Sequence, residues 1–185
     1  RVVSSVDKRG RSGPLTFVTV EHQFWQEGRL VVDERQDIVY REAADLAPGP
    51  TTESSPGEDA VAVGPHEWEV EISPTLLFRF SALTYNGHRI HYDRDYAVGV
   101  EGYAGLVTHG PLQAICMAEA ARRAGMDTTE AVALDYRLVA PLVDRQGLVA
   151  RIEEDDDRAG TLLAIRDLAG RVTARGRLTA PSSDS

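Results

Sequence analysis

Apolar positions along the chain follow two kinds of pattern. Over residues 1–43 they alternate or cluster in short spans rich in β-branched and aromatic side chains, which predicts three strands. The first covers residues 2–8 and ends in R-G-R-S-G-P. The second covers residues 15–25, L-T-F-V-T-V-E-H-Q-F-W. The pair Glu27-Gly28 turns it back into a third at about residues 29–42. Three antiparallel strands have one apolar face that must pack on something outside the segment. Residues 44–65 lose the pattern and become rich in Pro, Gly, Ser, Thr and acids, the composition of a linker. A domain boundary is expected near residue 64.

From His66 onward the pattern describes one compact unit. E-W-E-V-E-I predicts a strand over 68–72, and Ser73-Pro74 opens a short turn of helix through Leu76, Phe78 and Phe80. Residues 99–110 are glycine-rich and loop-like. P-L-Q-A-I-C-M-A-E-A-A-R-R-A predicts one long helix over 111–124, with Pro111 at its first position and Gly125 stopping it. Its residues are nearly all small or apolar before Arg122, so it is expected to be buried. Strands follow at 131–138, 148–154, 161–166 and 172–179, separated by the turn signals D-R-Q-G, D-D-D-R-A-G and D-L-A-G. The tail 181–185 is expected to be loose. The fold class is α+β: one buried helix wrapped by an antiparallel sheet, the description of a hotdog fold. The strands of residues 1–43 look like the closing strands of a second such unit. The chain opens on Arg1 directly into a strand-like run, so the helix of that unit is expected upstream.

Charge and composition narrow the partners. The 185 residues carry 20 Lys+Arg against 29 Asp+Glu, a formal charge of −9. That opposes nucleic-acid binding, which needs a basic face to neutralise phosphates. Cys116 is the only cysteine, which excludes an internal disulfide and suits a reducing, cytoplasmic setting. No apolar run reaches the length of a membrane span, and no secretory leader is visible.

The chemistry gathers in two short stretches. T-Y-N-G-H-R-I-H-Y-D-R-D-Y-A, at 84–97, holds two of the five histidines, His88 and His91. A histidine can take and give a proton near neutral pH, and the amide of Asn86 can hold a water or a carbonyl oxygen. The same residues could form an ordinary polar turn. A metal site is disfavoured, because no further Cys/His group has ligand spacing. The second stretch is T-H-G-P at 108–111, where the long helix begins. Free backbone N–H groups and the helix dipole favour developing negative charge there, and Gly110 lets a ligand approach. A thioester carbonyl turning enolate-like would gain from such donors. An ordinary Gly-Pro helix start remains the alternative.

F-S-A-L-T-Y-N-G-H-R-I-H-Y-D followed by E-G-Y-A-G-L-V-T-H-G-P-L resembles the MaoC-type hydratases and dehydratases of the hotdog superfamily. The resemblance covers about residues 66–180. It is narrowest to the branch of type 2 hydroxyacyl-thioester dehydratases and mesaconyl-C4-CoA hydratases. G-R-S-G-P-L-T-F-V-T-V and Q-D-I-V-Y-R-E resemble the end of the N-terminal unit of double-hotdog members. The resemblance implies reversible hydration of an enoyl thioester, with no cofactor beyond the CoA or acyl carrier protein on the substrate. It also implies helix-to-helix pairing, as a homodimer or within a double hotdog. His91 matches the family's catalytic histidine and Gly110 the glycine whose N–H polarises the thioester carbonyl. Asn86 stands where the family's aspartate belongs. His109 is expected to be structural. Arg89 could meet a CoA phosphate or a substrate carboxylate, or pair with Asp93 or Asp95. Tyr103 is expected to line the acyl pocket, and His88 shares the turn. Tyr92 and Asp93 are expected to brace the loop, Cys116 to act as a small hydrophobe, and the acidic run at 153–157 to be a solvated hairpin end. Two rivals remain: a thioesterase using Glu119 on the helix, and a non-catalytic acyl-thioester-binding half.

Overall fold

The computed structural model describes residues 1–10, 13–41, 60–128, 130–153 and 160–180. Most of the expected linker, most of the acidic hairpin end and the tail lie outside the described residues. The chain divides into two compact units, Arg1–Ala47 and Pro48–Ser185.

The first unit is a three-stranded antiparallel sheet in sequence order: β1 (Val2–Gly10), β2 (Gly13–Gln26) and β3 (Arg29–Arg41). Gln26 pairs with Arg29, so Glu27 and Gly28 form a two-residue hairpin loop. Both have positive φ, 51° and 77°, as the twist-matched hairpin turn requires. Thr19 is buried and links the three strands, accepting from Ser4 Oγ at 3.0 Å and donating to Asp37 Oδ1 at 2.7 Å. Phe24, Trp25, Val39 and Tyr40 are exposed.

The second unit has the expected hotdog arrangement. Its sheet runs β4 (Glu67–Val70), β6 (Leu148–Glu153), β7 (Thr161–Arg166), β8 (Val172–Thr179), β5 (Ala133–Leu138), with every pairing antiparallel. The long helix α3 (Gly110–Arg123) lies on β5, β6, β7 and β8. Its buried residues are Leu112, Gln113, Ala114, Cys116, Met117, Ala120 and Ala121. They meet Leu148, Leu163, Ile165 and Leu178 of the sheet in one core. Burying each large aliphatic side chain contributes about 1.5–3 kcal/mol. The helix is not buried all round, since Ile115, Arg122 and Arg123 face outward.

Several elements depart from the sequence reading. The short turn after Ser73 is a full ten-residue helix, α1 (Pro74–Leu83). Ser73 caps it, its Oγ accepting from the Leu76 N–H at 3.2 Å, and Pro74 fits the first turn, where no N–H is needed. A single-turn 3₁₀ helix (Arg89–His91) and a six-residue helix, α2 (Arg94–Gly99), fill what reads as loop. Asp93 starts α2 by accepting from the Tyr96 N–H at 3.0 Å. Strand β4 ends two residues earlier than expected, because Ser73 begins the next cap.

The end of the expected linker is fastened to this unit. The Val61 N–H donates to the Leu168 carbonyl at 2.8 Å. Arg166, buried on β7, holds Glu67 through two hydrogen bonds of 2.9 and 2.6 Å and donates to the Ala62 carbonyl at 3.2 Å.

Candidate active site

The chain leaves α1 through a tight reversal, with Tyr85 at φ 52°. The Asn86 N–H donates back to the Ser81 carbonyl at 2.9 Å. The Asn86 side chain then closes a turn of its own, its Oδ1 accepting from the His88 N–H at 3.0 Å. Its amide NH₂ remains as the other polar end. Tyr92 braces the same loop by donating its hydroxyl hydrogen to the Gly87 carbonyl at 2.8 Å. Arg89 is committed to Asp93 through contacts of 3.0 and 2.7 Å and stacks over the Tyr96 ring at 4.2 Å. Of its two expected roles, the structure shows the internal ion pair.

His91 is buried. Its Nδ1 lies 2.7 Å from the Val107 carbonyl oxygen. A carbonyl only accepts, so Nδ1 carries the hydrogen and Nε2 keeps its lone pair. Burial lowers the pKa of His91 below its ordinary 6.5. The nearby His88 lowers it further, against the opposing pull of the Val107 carbonyl. The ring is therefore neutral at pH 7, in the tautomer that can accept a proton at Nε2.

Val107 is itself held from several sides. Its N–H donates to the Ile90 carbonyl at 2.9 Å, and the neighbouring Thr108 N–H donates to the Leu142 carbonyl at 2.7 Å. Asp144, ion-paired with Arg94, accepts from the Leu106 N–H at 3.1 Å. Gly105 is required at this point, because a Cβ there would sit 2.6 Å from Asp144 Oδ1. The loop at 99–110 is thus a clamp for the catalytic histidine candidate.

His109 connects the two stretches singled out in the sequence. Its ring stacks on His91, centroids 3.7 Å apart and planes 16° from parallel. It is buried, with Nε2 2.8 Å from Ser81 Oγ and Nδ1 without a partner among the described residues. Burial first, and the neighbouring His91 second, push its pKa down to about 4, so it too is neutral. The expected structural role fits. The direct contact with His91 is not visible in the sequence, where the two lie 18 positions apart.

Gly110 is the first helical residue of α3, after His109, whose side chain makes no capping bond. Pro111 has no N–H, and the Gln113 N–H donates to the His109 carbonyl at 3.2 Å. Among the described residues the Gly110 and Leu112 N–H groups have no acceptor, which leaves them as donors at the helix start. A Cβ here would meet the Leu138 side chain, Cδ1 at 2.6 Å, and that exposed leucine would have to swing aside. His91 is linked to Gly110 through His109, on whose ring it stacks, and Asn86 is linked to the same histidine through Ser81.

A cavity of about 300 Å³ opens beside the helix start. Tyr103, Val107, Thr108 and Gln113 line one side and residues 138–142 the other. It shares Val107 with the histidine clamp, while His91, Asn86 and Gly110 are outside its lining. His88 lies on the exposed side of the turn, its ring edge-on to His91 with centroids 5.7 Å apart. Glu119 is held by Arg122 and Arg123 on the flank of α3, and the Arg122 contact chiefly holds its carboxyl at about 2. Burial pushes the Cys116 thiol up to about 11, which leaves it a small hydrophobe. Among the described residues no cluster of three or more His, Cys, Asp or Glu could hold a metal. No helix among them is long and apolar enough to cross a membrane.

The family described as hydroxyacyl-thioester dehydratase type 2 matches residues 2–144. The chain belongs to that family. It is 51% identical over 138 residues to mesaconyl-C(4)-CoA hydratase of Chloroflexus aurantiacus, covering 74% of this chain and 47% of that one. It is 30% identical over 127 residues to the mitochondrial hydroxyacyl-thioester dehydratase type 2 of Schizosaccharomyces pombe, covering 68% and 40%. The chain thus spans about half the length, or less, of these curated relatives. The crystal structure of HtdX from Mycobacterium tuberculosis shares the fold at a TM-score of 0.66 and 17% identity, covering 98% of this chain and 68% of that one. Within the chain, N-G-H-R-I-H and T-H-G-P are joined by the stacking of His91 on His109.

Proposed function

We propose that this chain carries the catalytic site of a hydro-lyase that reversibly hydrates an enoyl thioester to a 3-hydroxyacyl thioester. One observation carries the reading: a buried, neutral histidine with Nδ1 clamped to a carbonyl and Nε2 carrying the lone pair, stacked on the residue that precedes the first turn of α3. Family membership and the printed activities of the two curated relatives support it. Between those activities, the higher identity favours the mesaconyl-C(4)-CoA hydratase.

In the hydration direction the thioester carbonyl rests near the Gly110 N–H. That donor and the α3 dipole stabilise the enolate-like charge that builds on the oxygen. His91 Nε2 takes a proton from water as the oxygen adds to the β-carbon, and a proton is returned to the α-carbon. Such a positioned base contributes about 10²–10⁴-fold. Asn86 cannot serve as a second base, and its free NH₂ holds the water or the thioester in place. The substrate brings its own CoA or acyl carrier protein, and the chain uses no other cofactor. Tyr103 belongs to the acyl pocket. Arg89, paired with Asp93, and the exposed His88 share one turn, and a CoA phosphate reaching that turn would meet them. The sheet of residues 1–43 serves as the closing strands of a second hotdog unit, so the working assembly is a double hotdog or a homodimer. Cytoplasmic placement accords with the single cysteine.

The thioesterase alternative needs Glu119 as a base, and a carboxylate paired with two arginines is poorly suited to that task. Recording loss of enoyl absorbance and release of free thiol in one reaction separates the two. Loss of the double bond without thiol release is the expected result. Thiol release at the same rate would replace the hydratase reading. Acyl-thioester binding without either would leave only a binding half.

A further inference from the structure

The apolar wall of the cavity beside α3 runs over residues 138–142, and only Leu138 belongs to a strand. The backbone past β5 is held by other segments. The Val139 and Ala140 N–H groups both donate to the Thr173 carbonyl, at 2.9 and 3.2 Å. The Leu142 carbonyl accepts from the Thr108 N–H at 2.7 Å. Pro141 has no N–H, and its carbonyl accepts from Arg171 Nη2 at 3.1 Å. An irregular segment takes its shape from the groups that satisfy its backbone. Arg171 reaches this one from the turn between β7 and β8. That turn is closed by the Asp167 N–H donating to the Arg171 carbonyl at 2.9 Å. The Asp167 carboxylate, buried, accepts from the Arg171 N–H at 2.8 Å and from its Nε at 3.1 Å. The far end of the guanidinium donates to the Pro141 carbonyl and to Gln146 Oε1, both at 3.1 Å. Gln146 Oε1 also accepts from the Val143 N–H at 3.0 Å. Neutralising Asp167 uses one end of the fork, and the other spans 30 positions to the cavity wall.

We propose that Arg171 is a positioning residue for substrate binding. It sets the wall of the cavity from outside, without lining it, and its loss weakens binding of the acyl group while sparing proton transfer. This rests on the acyl-thioester reading and on the cavity as its acyl pocket. The histidine clamp is fastened separately. The Leu106 N–H donates to Asp144 and the Val107 N–H to the Ile90 carbonyl, and Arg171 takes part in neither bond. A wall that the fold no longer holds must be ordered anew each time a ligand binds, and that cost falls on affinity. Arginine suits the position because its planar fork serves Asp167, Pro141 and Gln146 together, which a single ammonium does not.

The test uses the 185-residue chain and three readouts. Hydrogen exchange followed by mass spectrometry reports on the wall, calorimetric titration with butyryl-CoA on binding, and a panel of short enoyl-CoAs on turnover. Arg171→Met should speed exchange over residues 138–142 and leave residues 105–107 as in the wild type. It should weaken butyryl-CoA binding and raise KM by about fivefold, the factor of one hydrogen bond's net contribution. The kcat and its acidic limb should stay near wild type, which a general loss of structure would not allow. Arg171→Met leaves the buried Asp167 carboxylate without its cation, so Asp167→Asn combined with Arg171→Met is the second variant. The Asn amide oxygen can still accept the residue-171 N–H, and this protein should show the same pattern. Unchanged exchange over 138–142 would overturn the proposal, whatever the turnover. A faster-exchanging wall with wild-type affinity and KM would overturn it too, as would a loss confined to kcat. A wild-type chain that neither binds nor hydrates any of these thioesters would overturn the acyl-thioester reading, and the exchange result would still decide whether Arg171 holds the wall.

Discussion

Ser81→Ala isolates the least visible link in the site. Ser81 Oγ is the only hydrogen-bond partner of the buried His109 ring nitrogens among the described residues, at 2.8 Å from Nε2, and Nδ1 already has none. Removing the hydroxyl leaves both ring nitrogens unsatisfied at 1% exposure. An unmet buried polar group costs about 1–3 kcal/mol. In a chain this size, each kcal/mol lowers Tm by roughly 2–4 °C. His109→Phe removes both nitrogens and preserves a ring to stack on His91. In that background Ser81→Ala should cost much less, giving a coupling of about 1–2 kcal/mol in a double-mutant cycle. Urea unfolding of the four proteins supplies the energies. Turnover should fall in Ser81→Ala as well, because the His91 ring loses a fixed face at 3.7 Å. A cost under about 0.5 kcal/mol, or the same cost in both backgrounds, would refute the claim that Ser81 satisfies His109.

Other outcomes follow from the same geometry. Gly105→Ala places a Cβ 2.6 Å from Asp144 Oδ1 and must displace the carboxylate that holds Leu106. It should destabilise by about 1–3 kcal/mol and lower kcat more than it raises KM, as unfolding and steady-state kinetics would record. The acidic limb of kcat/KM should lie below pH 6.5, because burial lowers the His91 pKa from that value and the base works only while neutral. A limb at or above 6.5 would place the proton elsewhere. Glu67 is held at about 2, against an ordinary 4.5, chiefly by its hydrogen bond from Arg166. A depressed carboxylate pKa contributes stability that is complete above the unfolded value and is lost as pH falls through the folded one. Wild-type stability should therefore decline between pH 4.5 and about 2, and Glu67→Gln should flatten that decline while costing about 3 kcal/mol near neutral pH.

Much of the second unit was legible because its signals are local. The turn signals D-D-D-R-A-G and D-L-A-G marked off β7 and β8, and the Pro111 to Gly125 span marked α3 to within a residue at either end. The turn at Glu27-Gly28 was equally plain. Helix α2 was missed because six residues offer too little period, although Asp93 three residues before Tyr96 was a readable cap. The length of α1 was underestimated because Arg79 interrupts its apolar run and Leu83 and Phe78 are exposed. In the site, the residue types announced proton chemistry, and their placement did not. The Val107 carbonyl that sets the His91 tautomer has no side-chain signature, and neither does the stacking of His109.

The central claim is that His91 Nε2 moves the proton in hydration of an enoyl thioester. The direct measurement is the turnover of purified wild-type and His91→Ala chains on a panel of short, branched and C4-carboxylated enoyl-CoAs, followed by loss of the double bond. Folding of both is checked by circular dichroism. The wild type should hydrate at least one member of the panel, and His91→Ala should be slower on it by about 10²–10⁴-fold with its fold intact. Near-wild-type turnover by a folded His91→Ala chain would contradict the account.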